Sequence, residues 1–334
     1  MTTPASTTAR GAAVGIGTYR GEETDAVDAE VRAALVAGIA GGVRWIDTAI
    51  NYRSQRSERV VGDAVRQAVA GGVARDQLVL ATKAGFVPDS TDGATFQELV
   101  RDTILGLGLA DQDEVTKSGH CISPRYLRWS VDRSLMNLAV DAIDVLYVHN
   151  PEAQHEIADH GSVYDRLARA FAELEDLVAQ RKIGAYGVAT WNALRVPAAH
   201  PEHLDLSHLI ALAQKAGGER HHFRFVQAPF NLMETELITV RSQSHEGESR
   251  SALHVANALG LRVVASSPLA AGRLRHRAAQ AVDFVRSVPG LSAVLVGATH
   301  RMHGVEASER NRAAPLAPRA WRELLMSIAA EDPS

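Results

Sequence analysis

Trp45-Ile46-Asp47-Thr48-Ala49-Ile50-Asn51-Tyr52 runs from β-prone residues into an acid and, five positions later, a tyrosine. Leu78-Val79-Leu80-Ala81-Thr82 ends in Lys83, and Ile143-Asp144-Val145-Leu146-Tyr147-Val148 ends in His149. If the three runs are parallel neighbours, Asp47, Tyr52, Lys83 and His149 meet at one end of one sheet. A tyrosine, with an unperturbed pKa near ~10, is a weak acid. A cation beside it stabilises the phenolate, and Lys83 is the candidate cation. A buried lysine in turn requires a carboxylate, which Asp47 can supply. His149 can hydrogen-bond a carbonyl oxygen and orient it toward Tyr52. Such a set is built to polarise and protonate a carbonyl. None of the four can deliver a hydride, so a reduction would need a nicotinamide cofactor. Singly, each has a plainer reading: a capping acid, a packing tyrosine, a solvated lysine, a structural histidine. Their joint position at three strand ends argues for chemistry.

The elements that must position them alternate along the chain. Ala12 to Tyr19 reads as a first strand ending in a tight loop, and Val27, Val31, Leu35 and Ile39 mark one face of a helix over 25–40 that Gly41-Gly42 stops. A second strand covers 43–47. Ser57, with acidic Glu58 next, suits the cap of a helix reaching about Val69. A third strand covers 78–83. Ser123-Pro124 opens a helix by N-cap and N1 preference. Further strands are expected over 143–149, 185–190, 225–227, 262–266 and 292–296, with helices over 163–180, 251–259, 278–287 and 318–330 and a loop-helix segment over 197–215. These alternations predict a single (β/α)8 barrel, a TIM barrel, over residues 1–334. It would carry a loose start at 1–10, a long loop after strand three at 85–121 with a short helix near 95–107, and a C-terminal helix. In that fold the active site lies at the C-terminal strand ends, where the ionisable residues fall. The rival is a doubly wound open sheet, but Gly15-Ile16-Gly17-Thr18-Tyr19-Arg20-Gly21 lacks the spacing and following helix of a dinucleotide fingerprint.

Composition removes other classes. The chain has 334 residues, 46% of them hydrophobic, and a net charge of −4, so nothing favours a nucleic-acid or membrane-surface partner. One cysteine, Cys121, excludes an intramolecular disulfide and an all-cysteine metal site. No signal-peptide pattern and no apolar run of the roughly 18–20 residues of a membrane span is present, so a cytoplasmic location is expected. No metal site is expected. Adjacent His221 and His222 would face opposite ways on a strand, and His200 and His203 are interrupted by Pro201.

Asp47-Thr48-Ala49 with Tyr52, then Ser57-Glu58, Thr82-Lys83 and Leu146-Tyr147-Val148-His149-Asn150-Pro151-Glu152, resembles the aldo-keto reductases from Gly15 to about Glu306. The resemblance implies a (β/α)8 barrel and NADPH-dependent, metal-free reduction of an aldehyde or ketone, or the reverse. It makes Tyr52 the general acid, Lys83 and Asp47 its tuning pair, and His149 the carbonyl orienter. It places NADP(H) contacts at Gly17, Thr18, Thr190, Gln227, Ser266, Pro268, Leu269, Gly272, Arg273, Gly297, Thr299 and Arg301. A substrate pocket is expected at Tyr19, Phe86, Asn150 and Trp191. The chain departs from the family in three places. Ala189-Thr190 stands where a Ser-Asn pair is usual, Ser266 where a tyrosine stacks on the nicotinamide, and no Asn closes the motif after Arg301. Loss of the aromatic face should weaken stacking.

Two other classes of function remain open: a non-catalytic nicotinamide-nucleotide-binding module on the same barrel, and a Schiff-base lyase with Lys83 as nucleophile. The loop at 85–121 and the segment 231–250 are expected to line the pocket.

Overall fold

The computed structural model describes residues 11–88 and 94–331. The loose start expected at 1–10 and part of the long loop lie outside them. Short runs of small and β-branched residues, each followed by a helix, close into a barrel. The strands are β1 (Ala13–Gly17), β2 (Trp45–Asp47), β3 (Val79–Ala84), β4 (Ile143–His149), β5 (Ile183–Ala189), β6 (Phe223–Pro229), β7 (Gln243–His245), β8 (Glu248–Arg250), β9 (Arg262–Ser266) and β10 (Leu291–Gly297). The helices are α1 (Asp25–Ala40), α2 (Arg56–Ala70), α3 (Phe96–Leu99), α4 (Pro124–Leu138), α5 (His160–Ala179), α6 (Leu206–Gly217), α7 (Glu236–Thr239), α8 (Ala252–Ala258), α9 (Ala278–Arg286), α10 (Arg301–Arg312) and α11 (Pro318–Glu331). The barrel order is β1-β10-β9-β6-β5-β4-β3-β2, closed and parallel, as the alternation predicts. No described helix is long and apolar enough to cross a membrane.

Period-2 alternation sorts each strand into an inward and an outward set. The inward layer holds Trp45, Ala81, Val145, Tyr147, Ala189, Phe225, Val264, Ala293 and Leu295. Outward residues such as Ile46, Leu80, Leu146 and Val188 pack under the helices in the larger core. One step of two beyond the inward layer are Asp47, Lys83, His149 and Gln227. The pleat that fills the barrel therefore also aims these four at its mouth.

One local expectation is corrected, and two elements form that the alternation did not mark. Ser57 does not cap α2. The helix starts two residues earlier, at Arg56 after Gln55, which offers no side-chain cap, and Ser57 Oγ donates instead to the Thr18 carbonyl at 2.8 Å. The polar segment 231–250 holds a hairpin, β7–β8, that turns through left-handed Glu246 and Gly247 (φ 51° and 78°). The stretch after β10 forms α10, whose sequence is almost wholly polar. It packs through Gly304, Ala307 and Ser308, and a Cβ on Gly304 would lie 1.9 Å from the Ala34 carbonyl oxygen of α1. A helix seated by small residues at close approach shows no apolar stripe. His221 and His222 precede β6, as a strand over 225–227 implies, and His222 pairs with Glu175 at 2.7 Å.

Candidate active site

Register brings the expected residues together. Gly17 is level with Asp47 and with Gly297, Asp47 with Ala81, Lys83 with Tyr147, His149 with Ala189, and Ala189 with Gln227. Lys83 Nζ pairs with Asp47 Oδ1 and donates to the Thr48 carbonyl at 2.9 Å. Gln227 Nε2 donates to Asp47 Oδ2 at 2.8 Å. β2 and β6 are not neighbours in the sheet, so that bond crosses the barrel interior. Both oxygens of the buried carboxylate are thus engaged, the condition under which a buried charge is tolerable.

Tyr52 stands on the loop after β2. Its ring lies 4.9 Å from Lys83 Nζ, edge-on to Tyr19 at 4.9 Å and to His149 at 5.8 Å. The next three residues, Arg53, Ser54 and Gln55, are all left-handed, with φ of 50°, 50° and 67°. For non-glycine residues each such conformation costs on the order of 1–2 kcal/mol. Buried Arg53 holds the turn by donating to the Glu22 carbonyl and pairing with Asp28 at 2.6 Å. The strained turn follows directly on the residue that carries the phenol.

The electrostatics differ from expectation at one point. Burial raises the Tyr52 phenol above its ordinary value, and the opposing pull of Lys83 does not reverse it. Burial alone would depress the Lys83 ammonium, but Asp47 and Tyr52 together outweigh that effect and raise it. Burial, then Lys83, then His120 push His149 well below the usual imidazole range. Near neutral pH the site therefore presents a protonated phenol, a charged ammonium and a neutral imidazole. Lys83 therefore does not pre-ionise Tyr52.

Several buried polar atoms around this mouth have no hydrogen-bond partner among the described residues: Thr48 Oγ1, Asn51 Oδ1, Tyr147 Oη, His149 Nδ1 and Thr190 Oγ1. Buried groups are rarely left so, and their clustering marks a place for a ligand. A Cβ built on Gly17, Gly272 or Gly297 meets nothing within 4 Å, and Gly272 adopts φ 99°. Thr18 is buried and hydrogen-bonds the Asp47 carbonyl. Ser266 ends β9 facing inward, followed by Ser267, Ala270 and Ala271 in left-handed conformations. Arg20 donates to the Ala271 carbonyl at 2.9 Å and so ties the β1 loop to the loop carrying Pro268, Leu269, Gly272 and Arg273. Thr299 donates its N–H to His303 Nδ1 at 3.1 Å, and exposed Arg301 opens α10. Phe86 packs edge-on against His149 at 5.2 Å. Tyr19 and Trp191 stay exposed, and Asn150 is left-handed (φ 42°) at the turn after β4.

Sequence reasoning missed three supports. Glu58 is fully buried, accepts from Thr82 Oγ1 at 2.7 Å and from Asn137 at 2.8 Å, and so braces β3 beside Lys83. His120 and Gln154 stand behind His149. Glu152, in the segment after β4, accepts the N–H groups of Trp191 and Asn192 at 2.6 and 3.0 Å and fixes the turn that displays Trp191. The motif quoted around His149 contained Glu152, but nothing in its spacing revealed the partner.

Burial pushes the Glu152 carboxyl up to about 7 from 4.5, despite those two donors. The folded state then holds this proton more tightly than the unfolded chain. Its stabilising contribution is full below about 4.5 and is lost as pH rises to about 7. Linkage makes the change about 3 kcal/mol. Glu152→Gln cannot titrate, so the stability gap between variant and wild type should move in the variant's favour by about that amount between pH 4.5 and 7.5. Urea unfolding across that range measures it, and a gap independent of pH would show that Glu152 holds no extra proton.

Comparison with known proteins bears on this geometry. The sequence model of the Aldo/keto reductase family matches residues 13–303. The chain is 27% identical over 289 residues to 6-dehydroglucose reductase of Novosphingobium aromaticivorans, covering 83% of this chain and 73% of that protein. It is 25% identical over 171 residues to the 6-dehydroglucose reductase of Agrobacterium fabrum, and there it covers 51% of this chain but only 47% of the relative. The chain thus spans about half the length of that curated relative. A Klebsiella pneumoniae aldo/keto reductase, solved in complex with NADP and acetate, superposes with a TM-score of 0.62 at 23% identity, over 93% of this chain and 89% of that one. At that identity the superposition speaks for the barrel alone. The family match, running from the first strand to the first turn of α10 and spanning every strand end that converges on Lys83, assigns the chain to the Aldo/keto reductase family.

Proposed function

We propose that this protein reduces an aldehyde or ketone to the alcohol, or runs the reverse reaction, with NADP(H) as cofactor. The observation that carries the reading is Lys83, held between Asp47 and the face of Tyr52 at the barrel mouth. A reduced nicotinamide nucleotide would supply the hydride. The protein supplies the proton. Tyr52 keeps its proton through neutral pH and gives it to the substrate oxygen as negative charge develops there. Lys83, fixed by Asp47 and Thr48, then stabilises the phenolate. Neutral His149 offers the substrate oxygen a hydrogen bond without competing as an acid.

The residues present fit a dinucleotide. Thr190 Oγ1 is a buried, unpartnered group beside Gln227, suited to a carboxamide. Gly17, Gly272 and Gly297 leave room for close backbone approach, and Arg273 and Arg301 offer charge to phosphates. The Klebsiella relative's binding of NADP agrees with this choice. One observation favours NADH as a second reading. Glu30 of α1 accepts the Arg301 N–H at 3.4 Å, so a carboxylate stands where the first turn of α10 would receive a 2′-phosphate.

Titration with NADPH and with NADH, followed by tryptophan fluorescence, tests both. Saturation by NADPH at micromolar concentration and weaker response to NADH is the expected result; the reverse order selects the second reading. Binding of either nucleotide with no turnover in a carbonyl screen would leave a non-catalytic nucleotide-binding module instead. No response to either would sink the reductase reading.

A further inference from the structure

His149 lacks the anchor that usually orients such a ring. Its Nδ1 is buried without a partner among the described residues. What holds it lies behind it. His120 is wholly buried, and its Nε2 is 2.6 Å from the His149 carbonyl oxygen. Its Nδ1 lies 2.9 Å from Gln154 Nε2. The Gln154 carbonyl oxygen in turn accepts from Arg166 Nη1 at 3.1 Å, while Arg166 Nη2 donates to the Asp113 carbonyl at 2.9 Å. Arginine can only donate, so the Gln154 oxygen faces Arg166 and its NH2 faces His120. His120 Nδ1 is then the acceptor, and Nε2 carries the proton given to His149. One tautomer is fixed by three partners in series.

The surroundings are shaped for this contact. His120 closes a short antiparallel pairing with Phe86, flanked by Val87 N–H to the Gly119 carbonyl at 2.9 Å and Cys121 N–H to the Gly85 carbonyl at 2.7 Å. A Cβ on Gly85 would lie 2.8 Å from both His120 Nε2 and the His149 oxygen. Phe86 touches both imidazoles edge-on, at 4.8 and 5.2 Å. The long loop after β3 therefore does more than border the pocket.

We propose that His120 is a positioning residue for His149: the Arg166–Gln154–His120 relay fixes the backbone from which His149 enters the site, in place of a contact on its own Nδ1. The inference rests on the carbonyl-reducing reading for its kinetic consequence, but not for its structural one.

His120→Phe keeps a ring against Phe86 and removes the donor. His120→Gln keeps a donor at about the position of Nε2. With the full chain and the best carbonyl of the wild type, His120→Phe should lower kcat by roughly tenfold or more, since small misplacements of a catalytic group are costly. KM and nucleotide affinity should stay within about twofold, because His120 is buried behind His149, with both ring nitrogens engaged by the protein. His120→Gln should restore kcat to within about threefold of wild type by the same reasoning. Nitrogen-resolved NMR of the His149 imidazole in nucleotide-free protein gives a readout that needs no activity. It should show one neutral tautomer in wild type and in His120→Gln, and shifted or broadened signals in His120→Phe. If His120→Phe does not fold, Gln154→Leu removes the support on Nδ1 and should move the same signals. Unchanged kcat, or unchanged His149 signals, overturns the proposal. If no carbonyl is turned over by wild type, the function reading fails, and the NMR result alone decides whether His120 positions His149.

Discussion

Tyr52→Phe is expected to lower carbonyl turnover by roughly 10²- to 10⁴-fold, the range of a lost general acid. Fold and nucleotide binding should be intact. The change removes one oxygen from a half-buried ring that keeps its edge-on packing against Tyr19 and His149. Lys83 keeps Asp47 and the Thr48 carbonyl, so no charge is left unpaired. The loss should fall on kcat, because the phenol acts only as charge develops on the substrate oxygen. Steady-state kinetics, with melting temperature and nucleotide affinity as controls, measure it. Wild-type turnover in the variant would remove the general acid from the mechanism and with it the role given to Lys83.

The residues of the candidate site were legible in the sequence where a strand's own period placed them. Asp47, Lys83 and His149 each end a run whose alternate residues fill the barrel, so inward direction followed from counting by two. Gln227 was given by the resemblance alone, and the same period of two explains why it points inward. Barrel topology was legible from the alternation of strands and helices. What escaped rests on single contacts between distant segments. Glu58 reads as a capping acid beside Ser57 until Thr82 is brought against it across the β2–β3 crossover. His120 is one histidine in a long loop, and only the fold shows that its partner is a backbone carbonyl 29 residues away. α10 escaped because a helix docked on Gly304 needs no apolar stripe. The direction of the Tyr52 shift escaped for a different reason. Sequence names the cation but not the depth, and here depth outweighs the cation.

Lys83→Met is expected to be the most costly single change to stability in this site. Methionine keeps much of the stem and removes the ammonium. Lys83 is 2% exposed and Asp47 3%, so the carboxylate cannot recover water. Among the described residues Gln227 Nε2 would remain its one side-chain partner, and the Thr48 carbonyl would lose the Lys83 donor. Breaking a buried pair from one side costs about 3–5 kcal/mol, mostly from the charge left behind. Turnover should fall as well, by roughly 10²–10³, because no cation remains to stabilise the phenolate. The two losses can be separated. Asp47→Asn combined with Lys83→Met removes both charges, so most of the stability should return while turnover does not. Urea unfolding of the four proteins in that cycle, alongside their kcat values, decides the matter. If the double variant stays as unstable as Lys83→Met, the pair serves packing rather than charge. If its turnover returns with its stability, Lys83 has no part in proton transfer.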